Sequence, residues 1–267
     1  MDVQTELPFQ TDDIDPIGGS IKASEADFLV EEIPLYEPED DGQHVYVRLT
    51  REGMTTREVV DELAGVFGVP KSSIGYAGMK DKEARTTQTF SLDTAQFERP
   101  KPSDKEVAEQ VADKLGVEVE FARRHRNKLR RGHLIGNRFR IVVTDVGEGA
   151  SEQAGEIAEA LVERGVPNFY GAQRFGQDNQ NAERGREIIE TGEFDGPHWK
   201  RNLLCNAYQS ELFNRWLTRR IEEGLFGELM LGDIAKKTDT GGLFEVKHLS
   251  DEQPRFQRRE ITFTGPI

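Results

Sequence analysis

Hydrophobic and polar residues alternate in several short stretches of this chain, and a period of two predicts β-strands. The predicted strands are Asp27–Ile33, His44–Leu49, Thr86–Leu92, Val117–Phe121 and Phe139–Val143, with Gly232–Val246 as a further β-like segment. Ile21-Lys22-Ala23 is also extended and leads into the first of them through a turn. The strands are concentrated in the first half of the chain.

In other segments hydrophobic residues recur every three or four positions, which predicts amphipathic helices. One helix is introduced by the capping box Thr55-Thr56-Arg57-Glu58 and ends at Gly68. A second begins after Ser103-Asp104-Lys105-Glu106 and ends near Leu115. Further helices are predicted over Ser151–Arg164, Asn181–Thr191 and Trp199–Glu223.

The 267 residues are enough for one large domain or two ordinary ones. Met1–Pro16 is polar and acidic and lacks periodicity, so we expect a loosely packed tail over residues 1–17. Gly165-Val166-Pro167 ends a predicted helix and is the expected domain boundary. The sequence contains no run of eighteen apolar residues and no apolar N-terminal core. We therefore expect a cytoplasmic protein with no membrane partner.

Cysteine and charge change this picture in different ways. Cys205 is the only cysteine, and no Cys/His cluster has the spacing of zinc ligands, so no metal is expected. The net charge of −14 argues against a nucleic-acid partner. The acidic surface, with Arg in excess of Lys, resembles that of proteins adapted to high salt.

The segment Ala122–Arg140, called the basic segment below, contains eight basic residues and no acidic one. It includes glycines and leads into an apolar strand, which suits a phosphate backbone that approaches a turn. Its basic residues are Arg123, Arg124, Arg126, Lys128, Arg130, Arg131, Arg138 and Arg140. An RNA-binding surface is therefore expected here despite the acidic chain.

The stretch Gly75–Leu92 carries the candidate chemistry. Gly75 and Gly78 are expected where the backbone turns tightly and a Cβ would clash. Lys80-Asp81-Lys82 places one carboxylate between two ammonium groups, which favours the ionised form. By its chemistry alone, an Asp on such a turn is more often a turn former than a catalytic residue.

Four segments resemble motifs of one family, the TruD-type tRNA pseudouridine synthases. Ala77-Gly78-Met79-Lys80-Asp81, followed by Ala84, Thr86 and Gln88, is similar to the signature that holds the catalytic Asp. Lys128–Phe139 resembles the family segment Lys-Leu-Arg-x-Gly-x-Leu-x-Gly-Asn-x-Phe. Lys22–Glu32 resembles the first motif, and Asn168–Gly176 resembles Asn-Tyr-Phe-Gly-x-Gln-Arg-Phe-Gly with its two aromatic residues transposed.

The resemblance implies an α+β fold, in which a mixed β-sheet flanked by helices is interrupted by a family-specific α/β insertion domain. It places the catalytic domain at residues 18–167 and the insertion domain at residues 168–267. Family members continue beyond the last residue here, complete the insertion and return to the catalytic domain with further active-site residues. The chain is therefore expected to be a shortened member with an incomplete insertion domain.

The implied activity is isomerisation of uridine 13 of tRNA to pseudouridine, without a metal or an organic cofactor. The N1–C1′ glycosidic bond breaks, the uracil rotates, and it rejoins the ribose through C5. The resemblance makes Asp81 the catalytic residue and assigns substrate binding to Lys22, Phe28, Asn137 and Phe139. RNA binding is expected from Arg123, Arg124, Arg126, Lys128, Arg130, Arg131 and Arg174.

Two other interpretations stay open at this point. The chain could be a non-catalytic RNA-binding module that keeps the basic segment but cannot complete the pocket. A carboxylate-based hydrolase that pairs Asp81 with Glu31 or Glu32 is compatible with composition alone. The pseudouridine synthase interpretation makes one structural demand, that Lys22, Asp81, Asn137 and Phe139 meet at one cleft.

Overall fold

The computed structural model describes residues 7–265, and the chain divides into two compact units. The first unit is Ile17–Glu148, and the second combines Met1–Pro16 with Gly149–Ile267. The sequence predicts a later domain boundary, after Pro167. Compactness does not say which residues carry out which function, so the division into a catalytic and an insertion domain stays a prediction.

The first unit contains a mixed six-stranded sheet and two helices. Its strands are β1 (Ser20–Ile21), β2 (Phe28–Pro34), β3 (His44–Arg51), β4 (Ile74–Tyr76), β5 (Arg85–Asp93), β6 (Glu118–His125), β7 (Leu134–Ile141) and β8 (Val143–Thr144). Its helices are α1 (Thr56–Phe67) and α2 (Asp104–Leu115). The strand order is β6-β3-β5-β2-β7, with β4 also paired to β5, and β1 and β8 form a separate pair. Because β2 and β5 are parallel and the other pairs antiparallel, the predicted α+β class with a mixed sheet is confirmed.

Both helices of this unit begin where the sequence predicted. The Thr55 hydroxyl accepts a hydrogen bond from the Glu58 backbone N–H at 3.2 Å, and the Glu58 carboxylate accepts one from the Thr55 N–H at 2.6 Å. Ser103 and Glu106 make the same reciprocal pair at the start of α2. Gly68 ends α1 in the left-handed conformation, with φ +61°, which glycine adopts without steric cost.

The hydrophobic core lies between one face of the sheet and the two helices. The strands contribute Val45, Val47, Leu49, Phe90 and Leu92, and the helices contribute Val59, Val60, Leu63, Phe67, Val107 and Val111. Each buried aliphatic or aromatic side chain contributes about 1.5–3 kcal/mol relative to an exposed one. Residues two positions apart on a strand project on the same face, so Arg51 lies on the same face of β3 as Leu49, and Gln88 on the same face of β5 as Phe90. The core face of the sheet is therefore polar at this end. Both polar side chains are buried, so a polar cluster continues the core.

The second unit is mainly helical. It contains α3 (Ala150–Arg164), α4 (Asn181–Thr191), α5 (His198–Glu222), β9 (Ile234–Lys237), β10 (Leu243–Glu245), α6 (Leu249–Gln257) and β11 (Ile261–Phe263). The strands form an antiparallel sheet in the order β10-β9-β11. Helices α4 and α5 pack closely at Gly185, where an added Cβ would lie 2.0 Å from the Leu204 carbonyl oxygen. The predicted helices α3, α4 and α5 are confirmed, whereas α6 and β11 were not predicted.

Part of the predicted acidic tail has specific partners. Arg164 donates to the Asp13 carboxylate at 2.9 Å and to the Gln10 carbonyl oxygen at 2.7 Å. The hydrogen bond from Arg164 is the main reason that the pKa of Asp13 lies below its ordinary value. Residues 7–16 are thus tied to the second unit, and residues 1–6 lie outside the described residues.

Candidate active site

Asp81 lies on the loop between β4 and β5 and is paired with a distant lysine. Its Oδ2 accepts a hydrogen bond from Lys22 Nζ at 2.7 Å, and its Oδ1 accepts one from the Glu83 backbone N–H at 3.3 Å. The hydrogen bond from Lys22 is the largest cause that lowers the pKa of Asp81 below its ordinary value. The carboxylate is therefore ionised at neutral pH, and 45% of the side chain is exposed.

Two aromatic rings lie next to the ion pair of Lys22 and Asp81. Lys22 Nζ lies 4.6 Å from the centroid of the Phe28 ring, within the range of a cation–π contact. The Phe28 ring in turn meets the Phe139 ring edge to face, with centroids 6.1 Å apart. Phe139 is 56% exposed, which leaves the residue accessible to a partner. Asp81 and Phe139 are thus joined through two intermediate side chains.

The register between β2 and β7 places the remaining predicted residue. Glu32 is paired with Asn137 and Val30 with Phe139. Side chains two positions apart on a strand share a face, and paired residues lie on the same face. Asn137 and Phe139 therefore project on the face that also carries Phe28. Contacts thus connect Asp81 through Lys22 and Phe28 to Phe139, and Asn137 lies on the same face of the sheet as both rings. That these residues line one cleft, and what each does there, stays a prediction.

Lys80 links Asn137 to the turn that carries Asp81. Lys80 Nζ lies 2.7 Å from Asn137 Oδ1 and 2.9 Å from Glu32 Oε2. The Lys80 and Glu32 side chains are only 4% and 1% exposed. A buried charge needs a compensating partner, and each of these two supplies it to the other. The expectation that the Lys80 and Lys82 ammonium groups flank the Asp81 carboxylate is wrong. Lys80 pairs with Glu32, Lys82 pairs with Glu58 at 3.6 Å, and the cation at Asp81 is Lys22.

Buried polar side chains of Arg51, Thr56 and Gln88 form a cluster that holds the backbone of the same turn. The Thr56 hydroxyl accepts from the Lys80 backbone N–H at 2.9 Å and donates to Gln88 Oε1 at 3.1 Å. Gln88 Nε2 donates to the Gly78 carbonyl oxygen at 2.7 Å. Arg51 donates to Gln88 Oε1 at 3.1 Å, and burial lowers the pKa of Arg51 to about 10. The backbone on both sides of Met79 is therefore anchored to α1 and β5.

The two glycines of this stretch differ from each other. Gly75 lies within β4, where an added Cβ would be 2.3 Å from the Leu129 carbonyl oxygen and 2.4 Å from Ser91 Oγ. The expected clash at Gly75 is confirmed. At Gly78 the nearest atom to an added Cβ would be Lys80 Nζ at 3.5 Å, an ordinary contact, so the expected clash there is wrong.

The basic segment receives acidic partners from other parts of the chain. The ion pairs are Arg123 with Asp40 at 2.6 Å, Arg124 with Asp104 at 2.6 Å, Arg126 with Asp41 at 3.2 Å and Arg138 with Glu31 at 3.3 Å. The backbone N–H groups of Glu39 and Asp40 donate to the Arg124 carbonyl oxygen. These hydrogen bonds hold the loop that contains Glu39, Asp40 and Asp41 beside β6. The expectation that this segment is uncompensated is therefore wrong for these four arginines. The acidic partners are distant from these arginines in the sequence, and the fold brings the two together.

The other predicted RNA-binding residues have different surroundings. Arg130 and Arg131 are exposed, and no carboxylate lies within ion-pair distance of either among residues 7–265. Lys128 donates to the Ser72 carbonyl oxygen. Arg174 lies in the second unit, with its guanidinium 5.0 Å from the centroid of the Tyr170 ring. Arg130 and Arg131 are thus the pair best placed to contact a phosphate backbone, and the RNA-binding role of all these residues stays a prediction.

None of the helices within residues 7–265 is both long and apolar enough to cross a membrane. Over the same residues, no three His, Cys, Asp or Glu side chains are grouped as they would be around a metal ion. The mixed sheet, and the contacts that join Asp81 through Lys22 to Phe28 and Phe139, fit the pseudouridine synthase class that the motifs indicate.

Comparison with known proteins gives the family. The family model described as tRNA pseudouridine synthase D (TruD) matches residues 5–196. The tRNA pseudouridine synthase D of Anaeromyxobacter dehalogenans (strain 2CP-1) is 42% identical over 98% of this chain and 74% of its own length. A tRNA pseudouridine synthase D of Thermus thermophilus is 43% identical over 97% of this chain and 70% of its own length. The chain belongs to the tRNA pseudouridine synthase D family, a family of isomerases. The family resemblance of its sequence motifs is therefore confirmed.

A solved structure supports the fold independently. The putative tRNA pseudouridine synthase D (TruD) of Methanosarcina mazei superposes with a TM-score of 0.72, over 96% of this chain and 74% of that one. The two sequences are 22% identical, so this likeness concerns the fold alone.

Proposed function

We propose that this protein is a tRNA pseudouridine synthase that isomerises uridine 13 of tRNA with Asp81 as its catalytic residue. The observation that carries the proposal is the ionised Asp81 carboxylate, held by Lys22 Nζ at 2.7 Å beside the Phe28 and Phe139 rings. Its substrate class follows from the family, whose relatives are named tRNA pseudouridine synthase D.

The reaction is an isomerisation, in which the uridine keeps all its atoms, and it needs an ionised carboxylate. The N1–C1′ bond of the uridine breaks and a C5–C1′ bond forms, while C5 loses its proton and N1 gains one. An ionised Asp81 can attack the ribosyl unit as a nucleophile or take a proton from it as a base. Both routes require that Asp81 stays deprotonated, which the hydrogen bond from Lys22 favours.

Phe28 and Phe139 offer a stacking surface for the target uracil once it has left the RNA helix. An enzyme that rearranges a base must first take it out of the stack, and an aromatic surface compensates the lost stacking. Phe139 offers an exposed ring for this purpose, and the edge contact with Phe28 fixes the tilt of that ring. Asn137, on the same face, brings an amide to the polar edge of the uracil.

The geometry does not favour the hydrolase alternative. Glu31 is engaged by Arg48 at 3.0 Å and by Arg138 at 3.3 Å. Glu32 is buried against Lys80. A two-carboxylate hydrolase needs a second carboxyl group that can act as an acid or a base on the substrate. Glu32 is nearly fully buried, and Glu31 projects on the opposite face of the sheet from Phe28 and Asn137. Neither glutamate is therefore placed for that task beside Asp81.

The proposal is tested with two unmodified tRNA transcripts, one with uridine and one with cytidine at position 13. Pseudouridine is located by chemical mapping after incubation with the purified 267-residue protein. We expect pseudouridine at position 13 of the first transcript and at no position of the second. Binding of both transcripts without pseudouridine would favour the RNA-binding module instead.

A further inference from the structure

The contact between Lys80 and Asn137 fixes which atom of the Asn137 amide lies against Lys80 and which atom lies away from it. An ammonium group has donors and no acceptor, so the Asn137 atom 2.7 Å from Lys80 Nζ must be the amide oxygen. The Asn137 residue itself is exposed. Because its oxygen accepts from Lys80, the part of the amide that lies away from this contact is Nδ2, which has two N–H donors to offer a ligand.

The orientation of the amide is fixed because Lys80 is itself immobilised. Its ammonium is held by Glu32 at 2.9 Å in a site where both side chains are nearly fully buried. Its backbone N–H donates to the Thr56 hydroxyl at 2.9 Å. If the Asn137 amide turned over, its N–H groups would point at the Lys80 ammonium, and a donor would be left against a donor.

We infer that Lys80 is a positioning residue, which makes Asn137 present an amide donor and thereby selects a base with carbonyl groups on both sides of N3. The inference rests on the proposed function, because it concerns the base that this site would hold. It adds a reason why the site selects uracil over cytosine.

The geometry of the reaction makes a single donor sufficient. When C5 takes the place of N1, the uracil turns about the line through N3 and C6. The same rotation exchanges the carbonyl at C2 with the carbonyl at C4. A fixed N–H donor that meets one carbonyl before the rotation therefore meets the other after it. Cytosine has an amino group at C4, so the same donor would face another donor at one of the two stages.

The direct test is Asn137→Asp, which nearly preserves the shape of the side chain. An aspartate still gives Lys80 an oxygen, so a merely structural role of Asn137 would be preserved. The amide nitrogen, a donor, is replaced by a carboxylate oxygen, an acceptor. We expect folding and melting temperature to be retained while the single-turnover rate falls at least about tenfold, the size of one missing hydrogen bond. A rate near that of the parent would overturn the inference.

A second variant acts on the positioning residue. Lys80→Met with Glu32→Gln removes both charges, so no unpaired charge is left buried. The Asn137 amide can then turn and accept from cytosine. In competition binding to the parent, a cytidine-13 transcript that competes less well than the uridine-13 transcript means that the donor meets the C4 side of the base before the rotation. This difference should then shrink in the double variant, and if the parent shows no difference, Asn137→Asp decides. An undiminished difference would count against the inference, and if the double variant does not fold, Asn137→Asp decides.

The failure of the inference and the failure of the proposed function give different results. If the parent protein forms no pseudouridine in any transcript, the proposed function fails, and competition binding still reports the base preference. If the parent forms pseudouridine and Asn137→Asp does so equally fast, only the role of Lys80 and Asn137 is wrong.

Discussion

Lys22 and Asp81 are separated by 59 positions in the sequence, and their charged atoms are 2.7 Å apart. Lys22 directly follows β1 and has a φ of +61°, in the left-handed region that residues other than glycine seldom adopt. Such a conformation costs roughly 1–3 kcal/mol and persists where the surroundings hold it in place. The pairing of β1 with β8 holds the preceding residues.

The first prediction concerns the pH dependence of the rate in Lys22→Gln. The pKa of Asp81 is lowered mainly by Lys22, so the substitution should raise that pKa toward its ordinary value. Because the reaction needs the ionised carboxylate, the acid limb of the single-turnover rate should move to higher pH. Lys82→Gln removes the same charge one position after Asp81, where the side chain pairs with Glu58 at 3.6 Å. Equal shifts in both variants would argue against a specific role of Lys22.

A second prediction separates the arginines of the basic segment. Arg130→Ala with Arg131→Ala should weaken tRNA binding and reduce its salt dependence by about one log–log unit for each phosphate that is no longer bound. Arg123→Ala with Arg126→Ala removes the same charge from residues already paired with Asp40 and Asp41. Its effect on the salt dependence should be smaller. Binding measured over a range of salt concentrations checks this, and the opposite ranking would place the RNA surface elsewhere.

The third prediction compares two neighbouring threonines. Thr56→Val removes the hydroxyl that bonds the Lys80 N–H and Gln88, and it should cost about 1–3 kcal/mol of stability. It should also lower the rate, because Lys80 and Asp81 share that turn. Thr55→Ala removes the helix cap, which costs about 1 kcal/mol, and should leave the rate unchanged. Urea unfolding and single-turnover kinetics measure the two effects separately, and a normal rate in Thr56→Val would contradict this role for the cluster.

Local signals in the sequence were enough to predict most of the secondary structure. The capping residues Thr55 and Ser103 mark helix starts because they satisfy backbone N–H groups within one turn. Helix α6 gives no such signal, since its N-cap His248 makes no side-chain cap and Pro254 lies inside it. Strand β11 has three residues, too few to show alternation.

The site could be predicted only as far as its motifs reach. Lys22, Asp81 and Phe139 were named from the resemblance, but nothing in the sequence says that Glu32 is buried against Lys80. That pairing depends on the sheet order, in which β2 lies between β5 and β7. The ion pair between Arg123 and Asp40 likewise joins residues 83 positions apart. Pairings over such distances follow from topology, which periodicity does not reveal.

The central measurement is pseudouridine formation by Asp81→Asn. The substitution keeps the shape of the side chain and removes its charge, at a position that is 45% exposed, so folding should be nearly unaffected. Pseudouridine in the uridine-13 transcript is followed together with tRNA binding and melting temperature. We expect no pseudouridine, with binding and melting temperature close to those of the parent. Turnover near the parent rate would contradict the catalytic assignment, and a large fall in melting temperature with activity retained would make Asp81 a structural turn residue.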